Sequence, residues 1–175
     1  MAEFKLRPNH KDYALSELKE LKGNIVYIVS HEKAAGMPLR VRPKDHADVY
    51  AGGGLGKWTQ WKCKKMGRKM MWNGQKEPVM GFKSMACGKW LAIKNGMVTT
   101  GGGGDHCEFI VANVNKAVVL RKAINPENKG VGCKPNGQMK NVNNVPYAPG
   151  PAGAPGKFFI FDADIVQANA NMFLK

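Results

Sequence analysis

The chain has few acidic residues, few arginines and no long apolar run, and each scarcity narrows its function. No stretch approaches the ~18 consecutive apolar residues of a membrane-crossing helix. The opening MAEFKLRPNHKDYALSELKELKG has no continuous apolar core, so no secretory signal is expected. Among 175 residues, Asp plus Glu number only 13 against 27 Lys plus Arg, a formal charge of +14. Such a surface attracts polyanions: nucleic acid, anionic lipid or an acidic protein filament. Arginine occurs only at Arg7, Arg40, Arg42, Arg68 and Arg121. Lysine is a solvated point charge without the planar fork that reads phosphates and bases, so the balance tilts away from sequence-specific readout.

Cysteine is sparse as well. Cys63, Cys87, Cys107 and Cys133 form no CxxC pair, and His106-Cys107 is the one close pair of metal-ligating types. Neighbours along a strand point to opposite faces, so no metal site is expected and the thiols are read as reduced. Paired carboxylates, HExxH and a serine-nucleophile motif are all missing. G101GGGD105 and G52GGLGK57 lack the Lys-Ser/Thr of a phosphate loop and read as turns. Asp105-His106-Cys107 is the only compact reactive set, and adjacent residues cannot face one another as a nucleophile and base must. The chain is therefore read as non-enzymatic and without a cofactor.

With 43% hydrophobic residues, the chain can still bury a core. The spacing of Leu15, Leu18 and Leu21 after Asp12 predicts a short helix over 12–22, ended by Gly23. Beyond it, helical periodicity disappears. Short β-branched and aromatic runs alternate with Gly, Asn, Pro and Lys turns, predicting twelve strands between 25 and 164. The first of these are IVYIVS (25–30), PLRVR (38–42), ADVYA (47–51) and KWTQWK (57–62), and the last is KFFIFDAD (157–164). The strands group in fours, and Gly-Lys precedes a bulky residue at Gly56-Lys57-Trp58, Gly88-Lys89-Trp90 and Gly156-Lys157-Phe158. A repeat of this length suggests one supersecondary unit used three times, a β-trefoil.

The middle unit, F82KSMACGKWLAIKNGMVTTGGGGDHCEFIV111, resembles a fascin-type β-trefoil repeat. The resemblance rests on Phe82-Lys83-Ser84, Gly88-Lys89-Trp90-Leu91, Asn95-Gly96, Val98-Thr99 and Cys107-Glu108-Phe109, and it fades over the other two units. It implies an all-β trefoil, fitted here over 24–164 with 64–79 read as an inserted hairpin and 143–157 as a Pro/Gly surface loop, neither of which has a counterpart in the repeat. Residues 1–23 would form an extension with the short helix, and 165–175 a tail in which Ile165, Met172 and Phe173 dock. It also implies that Trp90, Leu91 and Phe109 fill the barrel. Proteins of the fascin and hisactophilin type bind actin filaments, so the resemblance implies a cytoplasmic, cytoskeletal role. A histidine-based pH switch is not expected from only His10, His31, His46 and His106.

The densest basic stretch is K57WTQWKCKKMGRKMMWNGQK76. Lys57, Lys62, Lys64, Lys65, Arg68 and Lys69 fall there with no intervening acid, and Trp58, Trp61 and Trp72 interleave. This cluster is the candidate partner-binding surface, since cations among aromatics suit an acidic groove or a nucleic-acid strand. Tyr147, in a loop with prolines at 146, 149, 151 and 155, is a second candidate docking point. The leading expectation is a non-catalytic structural protein that binds an acidic filament, with actin first. The alternatives are an RNA- or DNA-associated accessory protein of a ribonucleoprotein, and a small structural subunit of an axonemal or organellar assembly.

Overall fold

The computed structural model describes residues 3–15, 24–72, 74–114, 117–123, 130–142 and 156–174. Twelve strands form among the described residues, most of them where alternation and β-branching predict them, although the predicted strand 57–62 is a 3-10 turn over Lys57–Thr59 leading into a longer strand: β1 (Ile25–Ser30), β2 (Leu39–Val41), β3 (Val49–Ala51), β4 (Trp61–Trp72), β5 (Gln75–Ser84) and β6 (Trp90–Lys94), followed by β7 (Met97–Gly101), β8 (Phe109–Val114), β9 (Ala117–Lys122), β10 (Gly130–Cys133), β11 (Met139–Val142) and β12 (Phe158–Asp162). Two short helices close the chain, α1 (Ala163–Ala168) and α2 (Ala170–Phe173). Asp162 caps α1 by accepting the Asp164 amide at 2.9 Å. Among the described residues no helix is long and apolar enough to cross a membrane.

The trefoil expectation is corrected by the strand pairing. Ten strands join in one antiparallel sheet along the path β11-β10-β9-β12-β1-β4-β5-β6-β7, while β2 and β3 pair apart. β8 pairs with both β5 and β9 and so links the two halves of that path. The all-β class holds, but the pairing is that of one large antiparallel sheet, and a trefoil of three equivalent units is not shown. The Gly-Lys-bulky motif that suggested them occupies dissimilar places. Gly56-Lys57-Trp58 leads into a 3-10 turn (Lys57–Thr59), Gly88-Lys89-Trp90 opens β6, and Gly156-Lys157-Phe158 opens β12. A glycine followed by a lysine before a strand is turn chemistry, and turn chemistry recurs without a repeat.

The start of the predicted N-terminal helix is also corrected, since Asp12 does not open a helix. A 3-10 helix spans Pro8–Tyr13, with proline at its start. Leu15 then docks by donating its amide to Ile160 O at 2.8 Å, and residues 16–22 of the predicted helix lie outside the described residues.

Why β1 and β12 read as unbroken apolar runs is clear from their surroundings. Val26 and Ile28 face an inner cluster with Trp61, Phe82, Leu91, Phe109, Leu120 and Phe158. Tyr27 and Val29, one residue out of phase, face a second cluster with Phe4, Phe161, Val166 and Phe173. The two chain ends therefore cover the outer face of β1 and β12. Phe4 bridges Leu174, and its ring stacks on Phe173 at 5.5 Å. His10 sits fully buried in this clamp. Its Nδ1 accepts the Arg7 amide at 3.1 Å, so the ring proton is on Nε2, which donates to Met172 O at 3.1 Å.

Candidate functional site

The basic cluster falls on the longest hairpin. β4 and β5 pair from Trp61 opposite Ser84 outward to Trp72 opposite Gln75, so residues 64–79 are the outer reach of one continuous hairpin. At its base the side chains alternate: Trp61 and Cys63 are buried, and Lys62 and Lys64 are exposed. Burial pushes the Cys63 thiol up to about 12, although Lys65 pulls slightly the other way, so this cysteine is a core residue and not a nucleophile. Between the Lys65/Met80 and Lys69/Pro78 pairs the register shifts. Three residues of β4, Met66 to Arg68, stand against Val79 alone, with Gly67 at φ +74° and Pro78 offering no amide.

Alternation and the bulge together divide the six predicted cations. Lys62 and Lys64 project from the outer face of the hairpin base, and exposed Lys57 lies in the turn just before it. Lys65, Arg68 and Lys69 line a separate cleft of about 590 Å³ farther out, between the hairpin and β8. Tyr147 lies outside the described residues.

On the outer face the register sets Lys62 directly opposite Lys83 and Lys64 opposite Gly81. Like charges placed opposite one another destabilise an antiparallel pair. Among the described residues, no ion pair relieves Lys57, Lys62, Lys64 or Lys83; the pairs found are Lys11–Glu32, His31–Glu32, Arg42–Asp48 and Arg68–Glu108. Lys83 is instead held over the ring of Trp90, its Nζ 5.8 Å from the centroid. Trp90 pairs with Lys83 in the β5–β6 register and leans across Gly81. A Cβ at position 81 would lie 2.9 Å from Trp90 Cζ3 and closer still to Met66 Cε, which is why glycine is needed here although its φ is ordinary.

Trp90 therefore corrects one expectation of the fascin resemblance. Leu91 and Phe109 are core residues at 0% exposure, but Trp90 is only partly buried and lies on the outer face. Lys83 and Trp90 are the site residues that sequence reasoning missed. The missed signal was the alternation of Gly81, Phe82, Lys83 and Ser84, which puts Gly81 and Lys83 on the face opposite to Phe82.

The remaining reactive residues do not converge. Asp105–Cys107 form a single 3-10 turn in which Asp105 and His106 are exposed and Cys107 is buried. Burial pushes the Cys107 thiol up, away from the reactive thiolate. No group of three or more His, Cys, Asp or Glu among the described residues is arranged to hold a metal ion. No protein-family model matches the sequence, and no curated protein matches it.

Proposed function

We propose that this chain is a non-catalytic binding protein that docks an acidic polymer on the outer face of the β4–β5 hairpin. The observation that carries the reading is the opposed Lys62–Lys83 pair, with Lys64 beside it and no carboxylate in reach among the described residues. A face that keeps a destabilising juxtaposition of like charges is relieved when a polyanion lies across it. Lysines without a bidentate fork suit a dense, irregular field of carboxylates, so the polymer proposed first is an acidic protein filament of the actin kind.

A second reading has its own support. The partly exposed Trp90 ring, bracketed by Lys83, is the combination on which single-stranded nucleic acid stacks. The deciding experiment uses the triple variant Lys62→Ala, Lys64→Ala, Lys83→Ala beside wild type in filament co-sedimentation and in a nucleic-acid mobility shift. Loss of pelleting with a flatter salt dependence supports the filament reading, and loss of the shift supports the nucleic-acid reading. Wild-type binding to neither polymer at low salt, or unchanged binding by the variant, overturns the assignment of this face.

A further inference from the structure

The cleft beyond the bulge is a different site from the outer face, and its chemistry is more specific. Lys65, Arg68 and Lys69 enter it from β4, and Lys76 and Glu77 from β5. The bulge makes the space: Gly67 at φ +74° turns the strand away, and a Cβ there would meet nothing within 4 Å. The wall is firm. Val79 and Val111, both nearly fully buried, form its floor, and Met66 and Met70 pack the hairpin onto the cluster of Val79, Ile110 and Val119.

The charges inside are unequal. Arg68 is held at the mouth by Glu108, Nη2 to Oε2 at 3.2 Å, which fixes its guanidinium while leaving further N–H groups unspent. Burial raises the Glu77 carboxyl above its ordinary value, and the neighbouring Lys69 offsets part of that. Lys65 and Lys76 have no carboxylate at ion-pair distance among the described residues. The cleft thus gathers more positive than negative charge in a volume typical of small-ligand sites, about 300–1,000 Å³. Among the described residues no aromatic side chain lines the cleft, so none of them stacks on a ring there.

We propose that this cleft binds a compact phosphate chain, of the di- or triphosphate class, recognised by Lys65, Arg68, Lys69 and Lys76. A single carboxylate offers two oxygens and one charge. Four cations spread over two strands need several oxygens and several charges in a short span, which a phosphate chain supplies. Glu77 opposes the ligand and limits affinity. The site is independent of the outer face, because the two use different lysines.

The test is isothermal titration calorimetry with sodium tripolyphosphate at 150 mM salt, where screening confines each charge to about 8 Å. Wild type should show saturable one-site binding. The pair Lys69→Ala, Lys76→Ala should weaken it at least tenfold, while Lys62→Ala, Lys64→Ala should change it less than twofold. Glu77→Gln should strengthen it several-fold, and the remote Asp45→Asn should not. ATP and GTP should bind about as well as tripolyphosphate, and inorganic orthophosphate far more weakly. Circular dichroism checks that each variant is folded. Non-saturable heats, equal losses in the two lysine pairs, no gain for Glu77→Gln, clear discrimination between ATP and GTP, or orthophosphate binding as tightly as tripolyphosphate would each overturn the proposal. None of these outcomes bears on polymer docking, which the Lys62, Lys64 and Lys83 triple variant reads separately.

Discussion

Lys62→Glu separates stability from function at one residue. In the wild type, Lys62 and Lys83 are opposed across β4 and β5, and neither has a carboxylate partner among the described residues. Cross-strand charge pairs change sheet stability by about 0.2–1 kcal/mol, favourable for unlike charges and unfavourable for like ones. Reversing the charge at 62 removes the repulsion and adds an attraction, so the gain should be about 1 kcal/mol at low salt. For a chain of this length, that corresponds to a melting temperature higher by about 2–4 °C. Lys62→Ala removes only the repulsion and should gain about half as much. Both side chains contact solvent, so high salt screens the interaction and the difference should shrink at 0.5 M salt. Polymer affinity should move the opposite way, since the outer face loses two units of positive charge. The assay is a thermal melt at two salt concentrations beside a binding titration. A Lys62→Glu variant no more stable than Lys62→Ala would refute the claim that the register forces these two charges together. A stabilised variant with undiminished binding would retain the register and refute the docking face.

Three further outcomes follow from the packing. Burial lowers the pKa values of both His10 and His31, so each binds protons more readily in the unfolded chain. Stability should be at its full value above the ordinary histidine value of about 6.5 and fall as the pH drops below it, and a melting temperature that rises between pH 7.5 and 5 would contradict this. Gly81→Ala should cost about 1–3 kcal/mol by overpacking against the Trp90 ring, with the more flexible Met66 yielding first, and Met66→Ala in the same chain should recover part of the loss in a denaturant titration. Cys63, Cys107 and Cys133 are buried and Cys87 is only partly so, so a thiol reagent should label one cysteine quickly in the native protein and all four after unfolding.

The strands were legible because their signal is local. Period-two alternation places Leu39 and Val41 inward with Arg40 between them, and β-branched runs such as Ile25–Ser30 have no rival conformation. What joins the strands is not local. Ile28 opposite Ile160 is a pairing across most of the chain, and nothing in either segment names the other. The repeat was inferred from Gly-Lys before a bulky residue, which reports a turn and not a position in a sheet. The predicted helix start at Asp12 is misplaced for a related reason. Leucine spacing can suggest a helix, but Pro8 starts a tighter turn earlier, and Leu15 is claimed by the edge of β12.

For the site, sequence order was a good guide to composition and a poor one to geometry. Six cations within thirteen residues marked the right hairpin, yet alternation puts Lys65 and Lys69 on the face opposite to Lys62 and Lys64, and only Arg68 needs the bulge of two extra residues to join them at the cleft. A bulge is invisible to an alternation count until the partner strand is known, because it is defined by two strands together. Gly67 and Pro78 are its local traces, one freeing the backbone and the other withholding an amide, and they lie in different strands. Pairing then adds what the cluster lacked. Lys83, nearly twenty residues beyond Lys64, is brought against Lys62, and Trp90 is drawn over Gly81 from the next strand. The cation face is thus assembled by three strands, and only one of them carried the charge run. It follows that truncating the outer hairpin at the bulge should remove the cleft while leaving Lys62, Lys64, Lys83 and Trp90 in place. A shortened chain, with residues 66–79 replaced by a tight Asn-Gly turn so that Lys65 still pairs with Met80, should therefore keep polymer docking and lose tripolyphosphate binding. Loss of both in a folded protein would mean that the two sites are one.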